Sequence, residues 1–335
     1  MQVDYLIAGQ GIAGTLVSYE LWRAGRSFVL VDDGQARSAS RTAAAVLNPM
    51  AGRHWRPSAA AATLIPAALR TYRSLEALLG IALLQAAPLF VFHTDARQQQ
   101  QFELRRQQFP GCFSQADALR WKSCFSAPYG AGMINRVWLV HAEALLDGWR
   151  SFLQQQGVLR AERMEPGSLA VEEKSVHYRD ISARKVVFCE GAAASRNPLL
   201  AHLPFTANRG DALLLHIPGL PADAVYHREL RLVPRAGNLF WYGSNYRWDI
   251  AGLEPDPGWK AGAIGMLETW LKLPFEVAAH WVAERPTTAG QRIFAEIHPR
   301  HPAVALLNGL GTRGFSAGPY YAAELVCKLL AQTER

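Results

Sequence analysis

The sequence predicts an α/β protein. A Rossmann-like nucleotide-binding domain is assembled from separated segments, and a second α+β domain is built on a mostly antiparallel sheet. Three observations carry that prediction. A strand–turn–helix–strand pattern with three closely spaced glycines opens the chain at VDYLIAGQGIAGTLVSYELWRAGRSFVLVDD. A second glycine-rich turn, Gly309-Leu-Gly-Thr-Arg-Gly314, runs into a long periodic segment at the other end. Between them lie short strand-like runs separated by turns at Pro218-Gly219 and Ala236-Gly-Asn238.

The opening unit reads residue by residue. Val3 to Ala8 is a short apolar run of the kind that forms a buried strand. Gly9, Gly11 and Gly14 make G-x-G-x-x-G, and Ile12, Leu16, Tyr19 and Trp22 then recur at helical spacing through Ala24. Ser27 to Val31 is a second strand, closed by Asp32, which lies eighteen residues after Gly14. In such a unit the first glycine permits a sharp turn and the second leaves room for a pyrophosphate against the backbone. The third lets the helix lie close to the sheet, and free N–H groups at the helix start face the phosphates. A carboxylate at Asp32 suits a ribose hydroxyl pair and disfavours a 2′-phosphate. This unit predicts a bound dinucleotide and leaves FAD and NAD both open.

Ser38 to Arg53 is small, polar and turn-rich, so a planar group can pass beside its backbone. Ser58 to Gly80 reads as a helix interrupted at Pro66, and Pro88 to His93 as a strand. Asp95 to Gln108 reads as a polar surface helix, and Leu139 to Gln156 as an amphipathic one. Ser168 to Tyr178 and Ser182 to Cys189 read as strands, the second running into Gly191. Leu213 to Ile217, Tyr226 to Pro234 and Asn238 to Gly243 read as antiparallel strands. Trp259 to Leu273 and Phe275 to Ala283 read as helices, Val304 to Leu307 as a strand, and Ser316 to Ala331 as the terminal helix.

Composition narrows the classes. The 335 residues are 50% hydrophobic and 19% charged, enough apolar material for one large core or two modest ones. No stretch reaches the roughly eighteen apolar residues of a spanning helix, and no secretory pattern opens the chain. A cytoplasmic protein without a membrane span is expected. The net charge is +7, but the basic residues are scattered and the densest group, Arg292 to Arg300, also holds Glu296. Attraction of a small anion or a phosphate cofactor is expected, and a nucleic-acid partner is not. Cys112, Cys124, Cys189 and Cys327 lack metal-ligand spacing, which predicts unpaired thiols and no metal site.

Taken together, the pieces IAGQGIAG with VDD, ASRTAAAVLNPMAGR, VVFCEGAAA, NRGDALLL, ERPTTAG and NGLGTRGFSAGPYYAAELV resemble the D-amino-acid oxidase and glycine oxidase superfamily of FAD-dependent oxidoreductases. NGLGTRGFSAGP also looks like the oxidoreductase part of the bifunctional enzyme that processes carboxymethylaminomethyl groups on tRNA wobble uridine. The resemblance implies non-covalent FAD in an extended form. It places residues 1–60, 133–205 and 285–335 in the FAD-binding domain, and residues 61–132 and 206–284 in the substrate domain. It implies that Gly9, Gly11, Ile12, Ala13 and Gly14 meet the pyrophosphate, and that Asp32 and Asp33 lie at the adenosine ribose. Ser40, Arg41, Thr42 and Ala43 would run past the pyrophosphate and ribityl chain, with Gly191 on the returning strand. Gly309, Gly311, Thr312, Arg313, Gly314 and Phe315 would lie at the isoalloxazine end. Relatives often carry glycine at the Ala45 position, an acid at Gly290 and a glycine at Glu296, departures that the family picture gathers near the flavin.

The resemblance further implies oxidation of a C–N bond of a small amine or amino acid by hydride transfer to flavin N5, with oxygen or another electron acceptor. Arg285 is the candidate carboxylate clamp, because a guanidinium matches a carboxylate in a two-pronged geometry. Arg313, between glycines in a turn, is the second candidate contact, and Tyr242 in the predicted sheet is the third. The same parts would serve a 2-hydroxy-acid oxidoreductase, a tRNA-modifying oxidoreductase or a non-catalytic flavin-binding scaffold. The oligomeric state is not legible.

Overall fold

A computed structural model describes residues 1–35, 38–52, 54–248 and 252–333. Arg53, the last residue of the ASRTAAAVLNPMAGR segment, lies outside the described residues. The opening unit folds as its pattern requires: strand Gln2–Ala8, helix Ile12–Arg23, strand Phe28–Val31. Ile12, Leu16 and Tyr19 are buried, while Trp22 stays exposed and sets its edge on Phe152. Gly9 has φ +94°, and a Cβ there would stand 2.7 Å from the Cys189 carbonyl oxygen. At Gly14 a Cβ would stand 1.8 Å from the Gly9 carbonyl oxygen, so only glycine lets the helix approach this closely.

Five parallel strands form the centre of the first sheet. Across it lie Leu159–Arg160, Phe28–Val31, Gln2–Ala8, Ile181–Phe188 and Val304–Asn308. Numbered along the chain this is the order 3-2-1-4-5 of a doubly wound nucleotide-binding fold. Strand Phe294–Ile297 adds antiparallel to Val304–Asn308. The hairpin Leu169–Val171 and Val176–Tyr178 adds beside Ile181–Phe188. One face carries helices Ile12–Arg23, Ala61–Leu79, Ala142–Gln155 and Gly314–Thr333 over a core that includes Leu16, Tyr72, Trp149 and Leu325.

The second sheet is nine-stranded and antiparallel except where Val225–His227 runs parallel to Leu89–Phe92. Its longest pairing joins Phe205–His216 to Glu276–Thr288, from Phe205 opposite Thr288 to His216 opposite Glu276. One face packs Phe90, Phe92, Phe125, Tyr226, Tyr242 and Trp270 into a separate aromatic core. The chain is thus a Rossmann-like α/β unit with a second, mixed-sheet unit. No helix among the described residues is long and apolar enough to cross a membrane, and all four cysteines are free.

Five expected elements differ. Phe275 to Ala283 is a strand: Glu-Val-Ala-Ala-His suits a helix locally, but pairing along the whole of Phe205–His216 overrides that preference. Helix Ala61–Leu79 runs through Pro66, which lies close to its start and removes a single backbone donor. Ser168 to Tyr178 is a hairpin that reverses at Glu172–Ser175, and Tyr226 to Pro234 is likewise two antiparallel strands, Val225–His227 and Arg231–Pro234, with Tyr226 opposite Leu232. Leu139 belongs to strand Trp138–Val140, which precedes helix Ala142–Gln155.

Candidate active site

A single cavity of about 650 Å³ runs from the first glycine turn to the start of the last helix. At one end it is walled by Gly9–Ala13 and by Asp32 and Asp33. Helix Ile12–Arg23 opens here, and the N–H groups of Ala13 and Gly14 lie in the first turn, beyond reach of intrahelical acceptors. The Asp32 carboxylate is fixed before any ligand arrives. Its Oδ1 accepts from the Gly34 N–H at 2.7 Å and from Arg150 at 2.7 Å, and its Oδ2 accepts from the Gln10 N–H at 2.8 Å. A carboxylate offers about four acceptor sites, so one remains on Oδ2 for a hydroxyl. Arg150 also bonds the Gln10 side chain, tying the helix Ala142–Gln155 to the turn.

The Ser38–Ala45 segment forms the next wall. Ser40 Oγ accepts from the Ile12 N–H at 2.9 Å and so pins the segment to the helix start. The second sheet holds its far end: Trp241 Nε1 donates to the Thr42 carbonyl at 2.9 Å, and Arg235 donates to that of Ala43. Arg41 pairs with Asp147 at 2.6 Å. Opposite lie Cys189, Glu190 and Gly191 at the end of strand Ile181–Phe188. Burial pushes the Cys189 thiol and the Glu190 carboxyl up, which keeps the thiol neutral, while Asn197 donates to Glu190 at 2.8 Å.

At the other end Gly311, Thr312, Gly314, Phe315 and Ser316 line the cavity where helix Gly314–Thr333 begins. Tyr72 Oη donates to the Phe315 carbonyl at 2.7 Å and holds that start in place. The facing wall is one face of the second sheet, with Gly210, Ala212 and Ala283 as a floor of small residues. Trp241, Trp281, Arg231, Ser244, Tyr246 and Arg285 stand around it. The Arg285 guanidinium lies 4.6 Å from the Tyr246 ring centre and passes so close over Gly210 that a Cβ there would meet its Nη2 at 1.9 Å.

The sequence matches the family of FAD-dependent oxidoreductases over residues 4–329. The chain belongs to that family. In solved structures its fold is shared by glycine oxidase from Geobacillus kaustophilus, at 17% identity and TM-score 0.82 over 99% of this chain and 95% of that one. Iminodiacetate oxidase from Chelativorans sp. BNC1 matches at 20% identity and TM-score 0.78, over 97% and 95% of the two chains. L-α-glycerophosphate oxidase from Mycoplasma pneumoniae, solved with FAD bound, matches at 14% identity and TM-score 0.76, over 99% and 95%.

The residues of this oxidoreductase fit an extended FAD. One cavity joins the two glycine turns, an acid with a free acceptor site stands at the first, and a helix start stands at the second. Of the residues expected to hold the cofactor, Gly9, Gly11, Ile12, Ala13, Asp32, Asp33, Ser40, Arg41, Thr42, Ala43, Gly191, Gly311, Thr312, Gly314 and Phe315 line it. Gly14 and Gly309 do not; they shape backbone behind it, Gly309 at φ +75°. Arg313 is exposed and turns away, donating to the Gln291 carbonyl at 2.6 Å. Tyr242 faces the aromatic core, where burial pushes its phenol up.

The family departures are not gathered at one place. Ala45 lines the cavity with φ +54°, whereas Gly290 and Glu296 lie off it, Glu296 facing Arg292 at 3.4 Å. Arg150, Glu190, Arg231, Trp241 and Trp281 were not expected at the site. Their signal is strand and helix register, which places Arg231, Trp241 and Ala212 on one face only once the partners of each strand are known.

Proposed function

We propose that this oxidoreductase oxidises the C–N bond of a small amine or amino acid, using non-covalently held FAD. The observation that carries the reading is the continuity of the cavity from Gly9–Ala13 to Gly311–Ser316, with a sheet face closing its second end. FAD, when bound, supplies the two-electron acceptance that such an oxidation needs. The chain's own residues bind, orient and shield. The N–H groups at the start of helix Ile12–Arg23 and the Asp32 carboxylate suit the pyrophosphate and the ribose. The start of helix Gly314–Thr333 presents its positive end to the second chamber, where developing negative charge is stabilised.

The substrate's place in this reading is the floor of Gly210, Ala212 and Ala283, which leaves room for a small molecule between Trp241 and Trp281. These aromatic walls exclude water and strengthen every charge interaction within. Glycine oxidase and iminodiacetate oxidase, which share the fold, both take small nitrogen-bearing acids by their names, and this supports the same class here. The test is an anaerobic screen of the purified holoenzyme against D- and L-amino acids, N-alkyl glycines and 2-hydroxy acids. Bleaching of the flavin band by an amine or amino acid is expected. Bleaching by hydroxy acids alone would overturn the C–N reading.

A further inference from the structure

The Thr42–Ala45 wall of the cavity lies early in the chain, yet its backbone is held largely by the second sheet. Trp241 Nε1 donates to the Thr42 carbonyl at 2.9 Å, and Arg235 Nη2 donates to the Ala43 carbonyl. The Val140 N–H donates to the Ala45 carbonyl at 3.0 Å. Three of the four carbonyls are thus turned to protein, two of them by side chains of the second sheet. A trans peptide carries its C=O and N–H on opposite edges. The Ala43 and Ala44 N–H groups therefore point away from the side chains that hold the Thr42 and Ala43 carbonyls. Both residues line the cavity, and among the described residues neither N–H meets a protein acceptor. Obligatory donors left open in this way suit acceptor atoms of a ligand.

The two holders differ in cost. Trp241 is buried, packs against Ala44 and stands in the cavity wall itself. Arg235 directly follows strand Arg231–Pro234 and lies behind the wall. Burial lowers its guanidinium from the ordinary value, and its Nε is buried with no partner. The titratable groups that face it are Glu143 and His141. Burial, then the Arg235 charge, pushes His141 down, so the imidazole adds no charge of its own near neutral pH. A buried donor left unpartnered in a native fold calls for a reason. A guanidinium in a low-dielectric setting projects its charge onto whatever lies beyond the Ala43 carbonyl.

We propose that Arg235 and Trp241 are positioning residues for the cofactor: through them the second sheet fixes the Thr42–Ala45 backbone with its free amide edge open to the cavity, and Arg235 sets a positive charge behind that edge. The inference rests on the FAD reading above and gives the substrate sheet a part in holding and tuning the cofactor. It follows that loss of the Arg235 charge disfavours the reduced, more negative flavin more than the oxidised one.

Calorimetric titration of the apoprotein with FAD, and the midpoint potential of the reconstituted protein, test this without any substrate. Arg235→Gln is expected to weaken FAD binding about tenfold, the loss of a charge-assisted bond. It should also lower the two-electron potential by about 30 mV, which corresponds to a tenfold discrimination against the reduced form. Arg235→Lys keeps the charge and is expected to restore the potential and part of the affinity. Trp241→Phe keeps a ring but not the donor and should weaken FAD about three- to tenfold with little change in potential; it carries the test should the Arg235 variants not fold. Wild-type FAD affinity in both Arg235→Gln and Trp241→Phe overturns the positioning role while leaving the flavin reading standing. An unchanged potential in Arg235→Gln, or an equal fall in Arg235→Lys, overturns the role of the charge. Wild-type apoprotein that takes up no FAD overturns the flavin reading, and this inference with it.

Discussion

The two ends of the cavity are built in different ways. The nucleotide end is made of backbone: Gly9 to Asp33 supply a turn, a helix start and an acid within one continuous stretch. The substrate end is made of the side chains of Arg231, Trp241, Trp281 and Arg285, carried on three strands of one sheet, with Tyr246 from the turn beside them. A site built from local backbone imposes residue types at fixed spacing, because only glycine fits a φ of +94° or a 1.8 Å approach. A site built across strands imposes only a shared face, which any residue can occupy.

Substitutions separate the two ends. The largest effect is expected at the first. Gly14→Ala drives a Cβ into the Gly9 carbonyl oxygen and should cost about 3 kcal/mol, the upper end of overpacking penalties. The variant should lose bound flavin and melt lower; wild-type flavin content would contradict the packing account. At the second end Gly210→Ala displaces the Arg285 guanidinium from its four acceptors. The expected cost is about 1–2 kcal/mol, because each acceptor lost is worth only a fraction of its isolated strength. Flavin should stay bound while KM rises, and a fall in flavin content with unchanged KM would show that the two ends are not separable in this way.

Smaller effects sharpen the contrast. Ala45 holds φ +54° with a Cβ in place, so Ala45→Gly should relieve strain and raise stability by about 0.5 kcal/mol after the entropy cost of glycine. A lower melting temperature would contradict it. Glu190 gives a pH signature. Burial raises its carboxyl above the ordinary value, so the folded chain holds that proton more tightly than the unfolded chain. Its contribution is complete below the ordinary carboxylate range and is lost as pH rises through the raised value. The stability of wild type relative to Glu190→Gln should therefore fall with rising pH over that interval; a difference that is flat with pH would remove Glu190 from the titration.

The same contrast explains what the sequence shows. The first βαβ unit, the acid at Asp32 and the turn before the terminal helix are legible because each is local and stereochemically demanding. Strand Glu276–Thr288 is not, since its helical composition yields to a partner some seventy residues away. Arg285 is found at the cavity, but its acceptors at Asn208, Ser244 and Asn245 are visible only in the folded register. Tyr242 and Arg313 fail for the same reason: their types suit a site, and the sheet face and turn direction send them elsewhere.

Flavin stoichiometry tests the central claim, one cofactor spanning one cavity, most directly. Protein purified with added FAD, freed of excess and then denatured, should release FAD in a one-to-one ratio with chain. A colourless protein that takes up no FAD under these conditions would contradict the account.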